Sequence, residues 1–180
     1  MIWGDRKIKK KIMNAGRLTN GKDIMVNPAS VNLCLGTTFL VPKDYPPEIC
    51  LGDKLEYKKC SAGMGLFPLH PGQFCLATTR EKIEMPERVA AFVQGRSSIG
   101  RIGLTVQNAG FVDPGFTGHI TLELVNESPV TIYLKPGYPV AQLVFFDVSP
   151  VADPYHGKYN GQEEATGSRM YLDKQKYRDL

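Results

Sequence analysis

In Gly95-Arg96-Ser97-Ser98-Ile99-Gly100-Arg101 two adjacent hydroxyls lie between two guanidiniums, and no other stretch of the chain is as well composed for holding an anion. Glycine lets a backbone approach a ligand closely, serines and free amides can surround phosphate oxygens, and Arg96 and Arg101 carry forked donors with permanent charge. The same composition also suits a polar turn opening a short helix. Beyond it, Phe111-Val112-Asp113-Pro114-Gly115-Phe116-Thr117-Gly118 leads into Ile120-Thr121-Leu122-Glu123-Leu124-Val125-Asn126. Alternation places Ile120, Leu122 and Leu124 on one face of a strand and Thr121, Glu123 and Val125 on the other. Strands disfavour Glu, so Glu123 either faces water, the usual fate of an alternating carboxylate, or is held in a pocket where it can exchange a proton with a substrate or water. Asp113, in an Asp-Pro-Gly turn, has the ordinary alternative of capping its own backbone.

The chain that positions these groups has 180 residues, 42% hydrophobic and 22% charged, which is enough for one buried core and too apolar for disorder. Eighteen Gly and thirteen Pro separate short runs of Val, Ile, Thr, Phe and Tyr, the pattern of an all-β sandwich or barrel. The clearest strands are residues 73–79, 120–126, 130–134 and 140–146, with Lys135-Pro136-Gly137 as the turn before the last. One short helix is expected at the N-terminus, where Ile8, Ile12 and Ala15 recur at helical spacing, Asp5 caps the start and Gly16 the end. Residues 1–152 form the barrel domain. From 153 to 180 the chain is polar and lacks strand alternation, so it reads as a tail that is mobile without ligand. That tail is either plain disorder or, through Ala165-Thr166-Gly167-Ser168-Arg169, a flap over phosphates.

Twenty-two Lys and Arg against eighteen Asp and Glu give a net charge of +4, a mild excess that favours a small polyanion over nucleic acid. Arg6, Lys7, Lys9, Lys10 and Lys11 have no interleaved aromatics and read as the solvated face of the first helix; no nucleic-acid partner is expected. No apolar stretch approaches the ~18 residues a membrane helix needs, and the basic start runs into Ile-Met-Asn-Ala-Gly. A cytoplasmic chain without signal peptide or membrane partner is therefore expected. Cys34, Cys50, Cys60 and Cys75 form no C-x-x-C pair and read as reduced thiols, and His70, His119 and His156 space no metal site.

Six segments in order resemble the dCTP deaminase branch of the dUTPase superfamily. They are Gly95-Arg96-Ser97-Ser98-Ile99-Gly100-Arg101-Ile102-Gly103-Leu104, the run from Phe111 to Asn126, Asn27-Pro28-Ala29-Ser30-Val31-Asn32-Leu33, Leu69-His70-Pro71-Gly72, Lys135-Pro136-Gly137 with Ala141-Gln142-Leu143, and the tail from Lys158-Tyr159 to Arg169. The resemblance implies a homotrimer of distorted jelly-roll barrels with a short N-terminal helix and three active sites between neighbouring chains. By similarity Glu123 shuttles the proton, Asp113 holds the deoxyribose 3′-hydroxyl, Arg96, Ser97 and Ser98 bind phosphates or position water, and Arg101 lies beside the reactive carbon. Lys158 and Tyr159 approach the nucleotide, Gln162 the base edge, and Thr166 and Ser168 belong to the lid; Asn108, Ala109 and Gln142 also fall at substrate-binding positions. Magnesium is implied on the triphosphate, with no protein metal site and no zinc, and dTTP as an inhibitor.

Zinc-dependent nucleobase deaminases need an H-x-E and P-C-x-x-C arrangement, which this chain lacks, so deamination would place water between a carboxylate and fixed hydrogen-bond groups. Two departures from the family pattern stand out. Its early motif carries Asp where this chain has Asn32, a position able to reach a magnesium environment through water. Ala109-Gly110-Phe111-Val112-Asp113 resembles members that both deaminate dCTP and hydrolyse the resulting dUTP, giving dUMP, ammonia and pyrophosphate. Deaminase alone, dUTPase alone and a non-catalytic nucleotide-binding regulator are the other readings.

Overall fold

A computed structural model describes residues 1–21, 24–62, 65–107, 110–150 and 153–173. Their strands are β1 (Leu18–Thr19), β2 (Val31–Pro42), β3 (Tyr57–Ser61), β4 (Phe67–Leu69), β5 (Phe74–Glu84), β6 (Val89–Gly95), β7 (Leu104–Gln107), β8 (Phe111–Val112), β9 (Thr117–Asn126), β10 (Ile132–Leu134) and β11 (Pro139–Asp147). One antiparallel sheet runs β7-β9-β5-β2-β11-β6-β8, with β1 added on β5 and β3 on β2, while β10 and β4 pair separately. The sheet curls into half a barrel, as expected of a distorted jelly roll. Its concave side is filled by Leu33, Leu35, Phe39, Leu122, Leu124, Leu143 and Phe145, all fully buried. Each such side chain contributes roughly 1.5–3 kcal/mol on leaving water.

Three of the four expected strands extend beyond their expected bounds, and residues 130–134 shorten to β10. β2 is the main addition. It pairs in turn with β11, β5 and β3, and its register against β5 shifts between Leu35 and Phe39. The N-terminal helix begins as α1 (Asp5–Ile8) and continues as a π-helix over Lys9–Met13, with Ile8 and Ile12 fully buried. Asp5 is not its cap: Gly4 takes that position, and Asp5 lies in the first turn paired with Lys9 at 2.8 Å. Gly16 does end the segment in the left-handed region, at φ 66°. Among the described residues no helix is long and apolar enough to cross a membrane.

β9 is held hardest where it matters for the site. Its residues alternate between buried and half-buried along its whole length. Leu76 of β5 lies opposite Glu123 on one side and Gln107 of β7 on the other. At its end Asn126 is fully buried; its Nδ2 donates to the Leu69 and Val130 carbonyls, and its Oδ1 accepts from Ser128. A buried amide with every polar atom paired fixes the strand end in one place.

Candidate active site

β7 covers β9 only from Glu123 to Asn126, so the earlier part of that edge is free for another segment. Residues 153–173 occupy it instead of standing away from the body as a mobile tail. Tyr155 N–H donates to Pro114 O at 2.8 Å, Gly161 N–H to Thr117 O at 2.7 Å, and His119 N–H to Gln162 O at 2.8 Å. The Gln162 side-chain amide donates to His119 O at 2.6 Å. Gly118, at φ 147°, permits this approach, since a Cβ there would stand 2.8 Å from the Gln162 carbonyl. Lys82 pairs with Glu163 at 2.5 Å and Lys59 with Glu164, while Tyr155 packs on Phe116. Polar composition concealed a segment whose backbone completes a sheet edge.

Between β9 and this strap lies a cavity of about 530 Å³, and six residues singled out from the sequence line it: Asp113, Glu123, Tyr159, Gln162, Thr166 and Ser168. Its apolar walls include Phe74, Leu76, Val93, Phe111, Phe116 and Tyr155. Burial holds the Glu123 carboxyl above its ordinary value, and no cation takes part in that shift. Asp113 lines the same space from its turn, and among the described residues its carboxylate makes no hydrogen bond to the turn backbone. Gln162 presents a buried Oε1 with no partner. The cavity therefore offers an apolar slot and a partly desolvated proton carrier. Such an arrangement can bind a flat, partly polar ring and move a proton on it.

Sequence reasoning missed Tyr57, which enters from β3 and lines the cavity. Burial raises its phenol, with the Ser168 backbone beside its hydroxyl. Gly167 packs on its ring so closely that a Cβ would be 2.6 Å from it. Nothing local marked Tyr57, since Tyr57-Lys58-Lys59 has no apolar alternation.

The other expected site residues lie elsewhere. Ser97 and Ser98 are exposed on α2 (Ser97–Gly100), Arg101 is exposed at its end, and Arg96 spends Nη1 on Pro139 O at 3.0 Å. None of the four lines the cavity. Gln142 accepts from the Ser30 hydroxyl at 3.1 Å, and Lys158 pairs with Asp173, which raises its ammonium pKa. Asn108 and Ala109 fall outside the described residues, as does the expected domain boundary at 152. Asn32 is 3% exposed, accepts from Asn27 Nδ2 at 2.9 Å and donates to Met25 Sδ at 3.4 Å. A carboxylate could not make that donation, so Asn32 serves the fold here.

Among the described residues no three His, Cys, Asp or Glu side chains gather to hold a metal. All four cysteines are free, and burial raises Cys34 to about 11 and Cys75 to about 12, which leaves both as neutral thiols.

Residues 2–148 match the sequence pattern of the dCTP deaminase-like family. The chain belongs to that family. A protein of Persephonella marina named dCTP deaminase, dUMP-forming, is 44% identical over 182 residues, covering 97% of this chain and 99% of its own. One of the same name from Dictyoglomus thermophilum is 38% identical, covering 96% of each. In fold the chain is similar to the 2′-deoxycytidine 5′-triphosphate deaminase of Agrobacterium tumefaciens, with TM-score 0.64 at 20% identity over 82% of this chain and 48% of that longer one. It is also similar to the dUTPase of Staphylococcus bacteriophage 80alpha, with TM-score 0.52 at 13% identity over 79% and 97%.

Proposed function

We propose that this member of the family is a dUMP-forming dCTP deaminase, converting dCTP and water to dUMP, ammonia and pyrophosphate in the cytoplasm. The carrying observation is Glu123, a carboxyl whose proton affinity is raised by burial, set in a largely apolar cavity that Gln162 also lines. In this reading Glu123 takes a proton from the water that attacks C4 of the cytosine and passes it to the ring nitrogen N3, then takes the proton of the new C4 hydroxyl and passes it to the amino group, so that ammonia leaves as the C–N bond breaks and the C4 carbonyl forms. Gln162 approaches the base edge, and Asp113 accepts from the 3′-hydroxyl. Water attack on the triphosphate then breaks the bond from the α-phosphorus to its bridging oxygen, releasing pyrophosphate.

Arg96, Ser97, Ser98 and Arg101 complete this site from a neighbouring copy in a homotrimer. The exposure of Ser97, Ser98 and Arg101 on and after α2 and the absence of all four from the cavity of their own chain support this reading, as does a surface cluster of Phe92, Phe111 and Phe146 with ring centroids 5.1–6.0 Å apart. Phe92 and Phe111 remain 44% and 50% exposed in one chain, an apolar surface suited to a second copy. The strap over residues 158–169 acts as the lid, with Tyr159, Thr166 and Ser168 closing over the nucleotide. Magnesium arrives on the triphosphate and neutralises part of its charge. Zinc has no role, so activity is expected to survive exhaustive zinc chelation once magnesium is restored; stoichiometric zinc in active protein would overturn that. dTTP is expected to compete for the same cavity.

Incubating the full chain with dCTP and separating the products tests the main reading. Equal dUMP and pyrophosphate are expected. Accumulation of dUTP reduces the protein to a deaminase, dUMP from dUTP with none from dCTP leaves a dUTPase, and binding without turnover leaves a regulator.

A further inference from the structure

Apart from the Glu123 cavity, the N-terminal helix forms a second cavity of about 590 Å³ with the turn before β6 and the end of β11. Its floor is Trp3, stacked on Phe145 at 5.9 Å and 3% exposed. Lys7 sits over the indole at 4.4 Å and holds both oxygens of Asp147 at 2.7 Å, while Arg17 is taken up by Glu84 at 2.7 Å. Three further cations line the space, Lys10, Lys11 and Arg88, and among the described residues none of them has an ion pair or side-chain hydrogen bond. Beneath them the Trp3 indole N–H is buried and faces the Asp147 carboxylate.

We propose that this cavity is a second anion site that takes a phosphate chain of two or more phosphoryl groups, with Lys10, Lys11 and Arg88 neutralising it above the buried Trp3 ring. Three unpaired cations on two elements match a ligand of about three negative charges better than a monoanion. The helix supplies two of them because Lys10 and Lys11 lie three and four residues after Lys7 and so share its side of the helix. A single-stranded nucleic acid fits less well, since it needs exposed rings on which to stack and Trp3 is covered by Lys7 and Phe145.

Trp3 is the only tryptophan of the chain and reports on this cavity alone, because the Glu123 cavity contains none. Titrating inorganic pyrophosphate into the full chain at low ionic strength should change Trp3 emission saturably. In Lys10→Ala/Lys11→Ala the dissociation constant should rise at least tenfold, and Arg88→Gln should weaken binding independently, while both retain dCTP turnover. A purine nucleoside triphosphate titrated alongside separates the sources: a stronger response to it supports a nucleotide-borne chain, and a stronger response to pyrophosphate supports a free one. No saturable change, an unchanged dissociation constant in both variants, or a response to oligonucleotide alone would overturn the site.

Discussion

Glu123 lies on a strand paired on both sides, with its carboxylate half-buried, whereas Arg101 ends a one-turn helix with its guanidinium in solvent. The first is positioned by one chain's own sheet register and by a strap laid along the free edge of β9. The second is presented, unengaged, at the surface. This contrast separates a cavity that one chain lines from its own strands and strap from the Arg96, Ser97, Ser98 and Arg101 group, which takes no part in that cavity. Sheet pairing explains the first, and the proposed homotrimer is the reading that the second puts to test.

Removing the Glu123 proton should have the largest effect. Glu123→Gln keeps the shape, and a loss of ~100-fold or more in deamination is expected, the scale of a general acid and base role. Stability should move the other way. Because the folded carboxyl binds its proton more tightly than the unfolded one, the native state loses stability as pH rises from the unfolded value through the raised folded value, and the penalty is complete above it. Gln carries no such penalty, so the variant should melt no lower than the parent at neutral pH, and the difference should shrink in acid. Near-normal turnover, or a neutral-pH melting temperature well below the parent, would move the catalytic carboxyl elsewhere.

Arg101→Ala should be of comparable severity and gives the sharpest test of the division between the two regions. When Glu123→Gln and Arg101→Ala chains are unfolded and refolded together, sites that draw one group from each copy should regain activity at roughly one site in four by random mixing. If each site is complete within one chain, no mixture recovers anything.

A smaller, graded effect is expected at the strap. A chain ending at residue 157 should stay folded and lose most turnover with a raised KM, since Tyr159, Gln162, Thr166 and Ser168 go while Tyr155 stays on Phe116. A chain ending at residue 152 should in addition melt several degrees lower, because it exposes Phe116 and the Pro114 carbonyl. Equal melting temperatures would mean that residues 153–157 contribute nothing to the core.

What could be read beforehand follows the range of the interactions. β9 was legible because one buried face imposes a strict alternation on Ile120, Leu122 and Leu124, and the Glu123 side followed from it. β2 was not, because a strand that changes partner at Gly36 buries residues on both faces in Val31-Asn32-Leu33 and shows no period. The α2 residues were legible as chemistry but not as geometry, since nothing in Arg96-Ser97-Ser98 says which cavity it serves. Asp5 was misplaced by one residue because Gly4 also satisfies a cap and leaves Asp5 for Lys9. The docked tail and Tyr57 depend on edges and packing created only when distant strands meet.

Tyr57 gives the smallest and most discriminating prediction, because it belongs to neither region by sequence yet touches the strap at Gly167 and shares the cavity with Glu123. Tyr57→Phe keeps the ring against Gly167 and removes only the hydroxyl beside the Ser168 backbone. One neutral hydrogen bond is worth about 0.5–1.5 kcal/mol, so a two- to tenfold loss is expected. If the hydroxyl serves closure of the strap, the loss appears in KM with kcat nearly unchanged. A loss in kcat with unchanged KM, together with a shifted alkaline limb of the pH profile, would instead make the phenol part of the proton path. Gly167→Ala separates packing from the hydroxyl: its Cβ would collide with the Tyr57 ring, so it should impair closure in the parent and do less harm once Tyr57 is replaced by Ala, whereas equal harm in both backgrounds would show that the strap does not close on Tyr57.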